Sequence, residues 1–528
     1  MLGSIGIWLL TGLVSPVAAQ DVSIQQDADD STVAKVFKVP EYSPYAGRNF
    51  PTQPFWGNQH FHTAISLDAG VLTKLVDEDA YRFARGEEVT TATGQHVKMS
   101  RPLDWLMVSD HAEAYGAMVE LRGGNPQLLA DPTLKRWYDE IQKGGKDAYA
   151  AAWEIIKANG AGTLPTALHA PTITKTAWDR HIKTADAYNE PGRFTALHGY
   201  EWTSMPGGDN LHRNVMFRDD ADKVSQVLPF SALDSDKPED LWKYLASYEQ
   251  ETGGRVMAIP HNPNISGGRM FETVDSAGNP FSADYARERA RWEVLLEVVQ
   301  TKGQSETAPY LSPYDEFADF EVWDKMNLAA TKVHQDSFYK KEYAREALKT
   351  GLKLEQDLGT NPFKLGLTGG TDQHMGLTAI EENNYFGVTP MDEPKANRAA
   401  GVFQKLGDVS VLNGDMLAAG YGAVWAMENT RASLWDAMAR RETYATTGDR
   451  IVVRFFGGFD YEASDANTRN PAIAGYTKGV PMGGDIGPAP EGKVPTFLVA
   501  ALKDPIGGWA VISVPPPKAR FRLSLSRH

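Results

Sequence analysis

The sequence predicts an α/β protein, mainly parallel, with one large barrel and a smaller β-rich segment after it. Three observations lead there. Short apolar runs alternate with amphipathic helical stretches, the pattern of repeated β/α units. Six of those runs end in His, Asp, Glu or Lys, and parallel β/α barrels carry their sites at the C-terminal ends of strands. The chain has 528 residues, more than one ordinary core accommodates.

The elements follow in order. Residues 1–19 read as a signal peptide: residues 2–15 are apolar, and small residues precede a cleavage position after Ala19. The run is too short to span a bilayer comfortably, and no later run reaches that length. A periplasmic or secreted bacterial location is expected, with no stable membrane span after signal removal. Residues 20–47 form a polar leader without clear period. The barrel is assigned to 48–450. Its first strand is the aromatic entry to Gly57-Asn-Gln-His-Phe-His-Thr63. Later strands are expected at 103–108, 193–197, 255–259, 292–299 and 364–367, each rich in residues suited to a buried strand and closed by Gly, Pro or Asp. Helices are expected at 132–159, broken at Gly144-Gly145, and at 235–251, 337–358 and 430–442; Pro238 lies close behind Ser235, good helix-start chemistry. From 451 to 528 the character turns to β, with strands at 451–456 and 496–502. The basic, proline-led tail from Pro515 is assigned no chemistry.

The strand ends gather His60, His62, Asp68, His111, Glu201, His261, Asp372 and His374. Residues two apart on a strand point to one face, so His60 and His62 can converge. A set of imidazoles and carboxylates without thiolate suits Zn, Mn or Fe in a hydrolytic site better than a structural zinc. Eight ligands exceed the needs of one ion, so two or three divalent ions are expected, with Glu201 as a bridge. The composition contains no Cys, which excludes disulfides and a thiol nucleophile. Net charge is −15, which disfavours nucleic acid as a partner. The Gly-rich stretches at 253–255 and 369–371 lack the Lys-Ser/Thr ending of a phosphate-binding loop.

The ordered motifs Gly57-Asn-Gln-His-Phe-His-Thr63, Ser109-Asp-His-Ala-Glu113, Gly199-Tyr-Glu-Trp202, His212-Arg-Asn-Val215, Gln300-Thr-Lys-Gly303 and Gly370-Thr-Asp-Gln-His374 resemble the polymerase and histidinol phosphatase (PHP) superfamily. More closely, they resemble a large bacterial family of unknown function with such motifs. The resemblance implies a distorted (β/α)7-type barrel with helical insertions and up to three metals. It places His60, His62, Glu201 and Asp372 on a first metal, Glu201 and His261 on a second, and Asp68, His111 and His374 on a third. The strand after His261 lacks the superfamily's further His or Cys and offers Gln300, Lys302 and Glu306, so Lys302 stands as a fixed cation there.

The catalytic expectations are Lys302, Arg213 and Asp110. Lys302 would contact substrate phosphate or pair with Glu306. Arg213, with His212, would orient an anionic substrate or pair with a structural acid. Asp110 would support a ligating His or only close a turn. His198 reads as an ordinary core histidine, and His96, His169, His181, His334 and His528 as surface or helix residues. The expected function is an exported metal-dependent phosphoesterase, using metal-activated hydroxide on a small organic phosphate. The alternatives are hydrolysis of an amide, lactone or sulfate ester, or a non-catalytic binding protein.

Overall fold

The Phe55–Asn58 strand lies mid-sheet and is buried along its length. Gly57 makes that position possible. A Cβ there would sit 2.2 Å from the Trp105 ring, so only glycine lets the Trp105–Met107 strand close in, parallel, with Gly57 opposite Trp105. Thr195–Leu197 extends the sheet in parallel. Tyr421–Val424 and Thr443–Thr446 complete its other side antiparallel. The computed structural model describes residues 49–416, 419–506 and 523–524. The signal peptide and leader expected over 1–47 lie outside the described residues, as does the tail from Pro515 apart from 523–524.

All six apolar runs contain a strand, with Val256–Pro260, Leu295–Gln300 and Gly366–Gly369 joining the three above. Leu295–Gln300 and Gly366–Gly369 pair in parallel, as do Phe61–His62 and Gln373–His374. The expected mainly parallel arrangement needs correction, however. Gly199–Trp202, Arg213–Phe217 and Val256–Pro260 form an antiparallel sheet. Only residues 203–212 link its first two strands, too few for the crossover of about a dozen residues that parallel pairing needs.

The expected barrel closure is not observed either. The strands divide among seven sheets, and none closes among the described residues. Three sheets nevertheless share one interior, where Phe55, Trp105, Leu197, Met216, Ile259, Leu295 and Val424 pack together. Apolar runs specify what each strand buries; they do not specify which backbone edge it meets.

The helices follow their start and stop chemistry. Pro132–Lys143 begins on Asp131, whose carboxylate accepts from Thr133 and Leu134 N–H. It stops at Gly144, in the left-handed region at φ 71°, and Gly145–Gly160 then starts anew. Pro238–Thr252 and Arg431–Ala439 form as expected, the latter capped by Thr430. The helix expected from 337 starts later, as Ala344–Leu358. Pro171–Tyr188 and Ala283–Trp292 are additional helices. His181, expected on a surface or helix, is a fully buried helical residue. Among the described residues no helix is long and apolar enough to cross a membrane. Near the C-terminus, Val452–Gly458 pairs antiparallel with Gly479–Pro481 and with Thr496–Leu502, which takes Leu523–Ser524 in parallel.

Gly57→Ala is expected to lower stability by about 1–3 kcal/mol through overpacking against Trp105. Gly487→Ala, where an added Cβ meets nothing within 4 Å, serves as the control. Denaturant melts of both variants check this: equal losses would contradict the close-packing account.

Candidate metal centre

The two-residue pairing of Phe61–His62 with Gln373–His374 sets His62 opposite His374. The strand ends around it deliver the remaining groups. His60 Nε2 and His62 Nε2 each lie 3.2 Å from Asp372 Oδ1. They lie 3.6 and 3.2 Å from Glu201 Oε2. On the other side of Glu201, Oε1 lies 2.8 Å from His261 Nε2 and 2.7 Å from His212 Nδ1. Asp68 sits 3.4 Å from His111 Nε2 and 3.2 Å from His374 Nε2. Asp372 turns sharply into place with φ 51°, a backbone region that Asp tolerates better than most residues.

Hydrogen bonds on the far side of each ring decide which way its lone pair points. His374 Nδ1 lies 2.8 Å from the Asp372 carbonyl. A carbonyl only accepts, so Nδ1 carries the hydrogen and Nε2 faces inward as a lone pair. His60 Nδ1 lies 2.8 Å from Glu297 Oε1, with the same consequence for a neutral ring. For His62 the relay is longer. Ser66 Oγ gives its proton to Asp110 Oδ1 at 2.7 Å and so accepts from His62 Nδ1 at 2.9 Å. Asp110 also accepts from Thr63 N–H at 2.7 Å and from the Thr63 hydroxyl at 2.8 Å.

Lone pairs therefore face carboxylate oxygens, an arrangement that repels unless a cation lies between. His60 Nε2, His62 Nε2 and Glu201 Oε2 are buried and have no hydrogen-bond partner. Donors bound about 2.1 Å from a tetrahedral ion stand about 3.4 Å apart, which matches the 3.2–3.6 Å separations at His60 and His62. The residues fit divalent metal. Three groups have ligand atoms within 4.8 Å of one another: His60, His62 and Asp372; His60, Glu201 and His261; His62, His111 and His374.

The electrostatics show what holds the site without an ion. Burial pushes the His60 ring toward the neutral form, but Glu297 and Glu201 outweigh it and raise its pKa to about 9. His111 is likewise raised by Glu201 and Asp68 against burial. Burial opposes the charge on Glu201, yet His111, His261 and His212 hold its carboxyl well below the usual range. Protons on imidazoles then occupy the place of the cation, and metal would displace them.

All eight residues expected as ligands converge here, and Lys302 joins them. Its ammonium pairs with Asp372 Oδ2, which Gln300 Nε2 also contacts at 2.5 Å. Burial lowers the Lys302 pKa to about 8, so the charged form still prevails at neutral pH. Glu306 is not its partner; Glu306 pairs with Arg345. Arg213 is a correction. It is buried on Glu293 at 3.1 Å and on the Leu211 carbonyl, because it points to the strand face away from His212. Asp110 takes the first of its two expected roles: it touches no ligand atom of the cluster and supports His62 through Ser66. His198 is a core residue 3.1 Å from Asp186; burial lowers its pKa to about 4.

Two contributors escaped the sequence reading. Glu297 was visible only as an acid inside an apolar strand, where burial demands a partner. His212 was singled out as a substrate residue rather than as a neighbour of Glu201.

The family described as "Protein of unknown function (DUF3604)" matches residues 49–509. No curated protein matches the chain. Among solved structures, the chain is similar at 10% identity to a Bacteroides vulgatus two-domain protein containing a predicted PHP-like metal-dependent phosphoesterase. The match covers 75% of this chain and 65% of that one, with a TM-score of 0.30, a likeness that carries no argument about fold or activity.

Glu297→Gln is expected to weaken metal binding by about 10- to 100-fold, the usual cost of losing an acid behind a ligating histidine. Competition titration against a chelator measures it. Unchanged affinity would remove Glu297 from the support of His60.

Proposed function

For this chain, which belongs to the family described as "Protein of unknown function (DUF3604)", we propose a metal-dependent hydrolase acting on phosphate esters. One observation carries the reading. The unpartnered Nε2 atoms of His60 and His62 meet the Glu201 and Asp372 carboxylates, and those two carboxylates line a cavity together with Asp68, His111, Lys302 and His374. A closed structural site would keep these groups away from a cavity. Bound divalent ions would supply charge neutralisation and a water made acidic enough to attack.

The chain's own residues do the rest. Asp110, through Ser66, and Glu297 fix the rings of His62 and His60. Asp372 is shared between the ring nitrogens through Oδ1 and Lys302 through Oδ2. The Lys302 ammonium would hold a developing oxyanion of the ester. Glu201, flanked by histidines on both oxygens, is the group best placed to bridge two ions.

A second reading, hydrolysis of an amide or lactone by the same set, is favoured by the scarcity of cations. Lys302 is the only Lys or Arg among the described residues lining the cavity, whereas phosphoryl groups favour several.

The test is a panel of phosphate mono- and diesters, amides and lactones on protein loaded with Mn or Zn. The reading expects hydrolysis of at least one phosphate ester, its loss in His62→Ala, and a fall of about 100-fold in kcat/KM in Lys302→Met at full metal occupancy. Turnover of amides or lactones alone would move the assignment to the second reading. No turnover by fully loaded protein would end both.

A further inference from the structure

The cavity above the metal ligands has two unlike halves. Its base is polar; its upper wall is built of Leu72, Tyr149, Trp153, Ile156, Leu328 and Phe403. The wall is assembled from distant parts of the chain. Tyr149, Trp153 and Ile156 are spaced to share one face of the Gly145–Gly160 helix, while Ala148, Ala151 and Ile155 of the same helix are buried in the core. Phe403 arrives on the hairpin of Val402–Leu406 and Val409–Leu412. The Tyr149 hydroxyl donates to the Phe403 carbonyl at 3.4 Å. The Phe403 ring stands edge-on between Trp153, at 5.4 Å, and the buried Trp323, at 5.9 Å. Trp153 and Phe403 are only half-buried, and the surface they leave open faces the cavity.

We propose that this wall binds an aryl or alkyl substituent of the substrate while the substrate's one anionic group sits at the metal ligands. The inference rests on the hydrolase reading above and narrows its substrate class to esters with one anionic group and a bulky apolar substituent. Two features favour that occupant. The cavity continues from the polar base to the apolar side chains, a stretch of lining that an inorganic phosphate would leave without a partner. Among the described residues its lining carries a single Lys or Arg, Lys302, which suits one anionic group and leaves further phosphates of a polyphosphate or nucleic acid without partners. Apolar walls fixing a substituent beside a few convergent polar groups are the usual design of a small-molecule site.

Three probes on manganese-loaded protein separate the wall from the anion site: methylphosphonate, phenylphosphonate and benzyl alcohol. Calorimetry measures the phosphonates and ligand-observed NMR the alcohol. Phenylphosphonate is expected to bind about tenfold more tightly than methylphosphonate. Trp153→Ala should reduce that preference to about one and leave methylphosphonate affinity unchanged, which also shows that the variant folds. Phe403→Ala should act in the same direction. Equal affinity for the two phosphonates in the wild type, or a preference that survives both variants, overturns the proposal. If methylphosphonate fails to bind but benzyl alcohol binds the wild type and not a Trp153→Ala variant with a normal melting curve, the anion reading falls and the wall stands. Binding of none of the three overturns both.

Discussion

Glu201 is a buried carboxylate ringed by five histidines, and the arrangement of strand ends depends on neutralising it. His60, His62 and His111 face Oε2; His212 and His261 face Oε1. An isolated carboxylate at that depth would cost far more than a folded domain can spare. Imidazoles can meet the demand only by carrying protons or by sharing a cation with the carboxylate. The outer hydrogen bonds of His60, His62 and His374 orient the rings for either state, since each turns Nε2 toward the centre. Structure and chemistry are therefore one constraint: the side chains that make the centre stable with metal also leave it charged and accessible to a ligand.

The supports lie one layer out. Asp110 never reaches the cluster, yet it fixes the direction of the Ser66 proton and so the state of His62. Glu297 does the same for His60 directly and is itself held by Gln59 Nε2 at 2.7 Å. Lys302 differs in kind. It shares Asp372 with the two ring nitrogens, so the cavity-lining cation and the candidate metal ligands are coupled through one carboxylate.

Much of this was legible in the sequence, for definite reasons. His60 and His62 occupy alternate positions of an extended segment, and most of the other candidates follow apolar runs, so local pattern named all eight residues that the fold brings together. What pattern did not carry was pairing. The nearness of His212 to Glu201 depends on the antiparallel register that sets Glu201 opposite Asn214, and no periodicity announces a register between strands linked by an irregular loop. Arg213, one residue further on, faces away for the same reason. Glu297 was hidden because a lone acid in a strand looks like an exception until its partners are known. The apolar wall was beyond reach: Trp153 and Phe403 come from segments whose meeting depends on tertiary packing alone.

The most direct measurement is an anomalous-scattering map from crystals grown with manganese. The account predicts at least two peaks flanking Glu201, one within about 2.3 Å of a Glu201 oxygen and of the His60 or His62 Nε2. A fully occupied crystal with no peak in contact with Glu201 would contradict it, since the carboxylate would then be neutralised by protons alone.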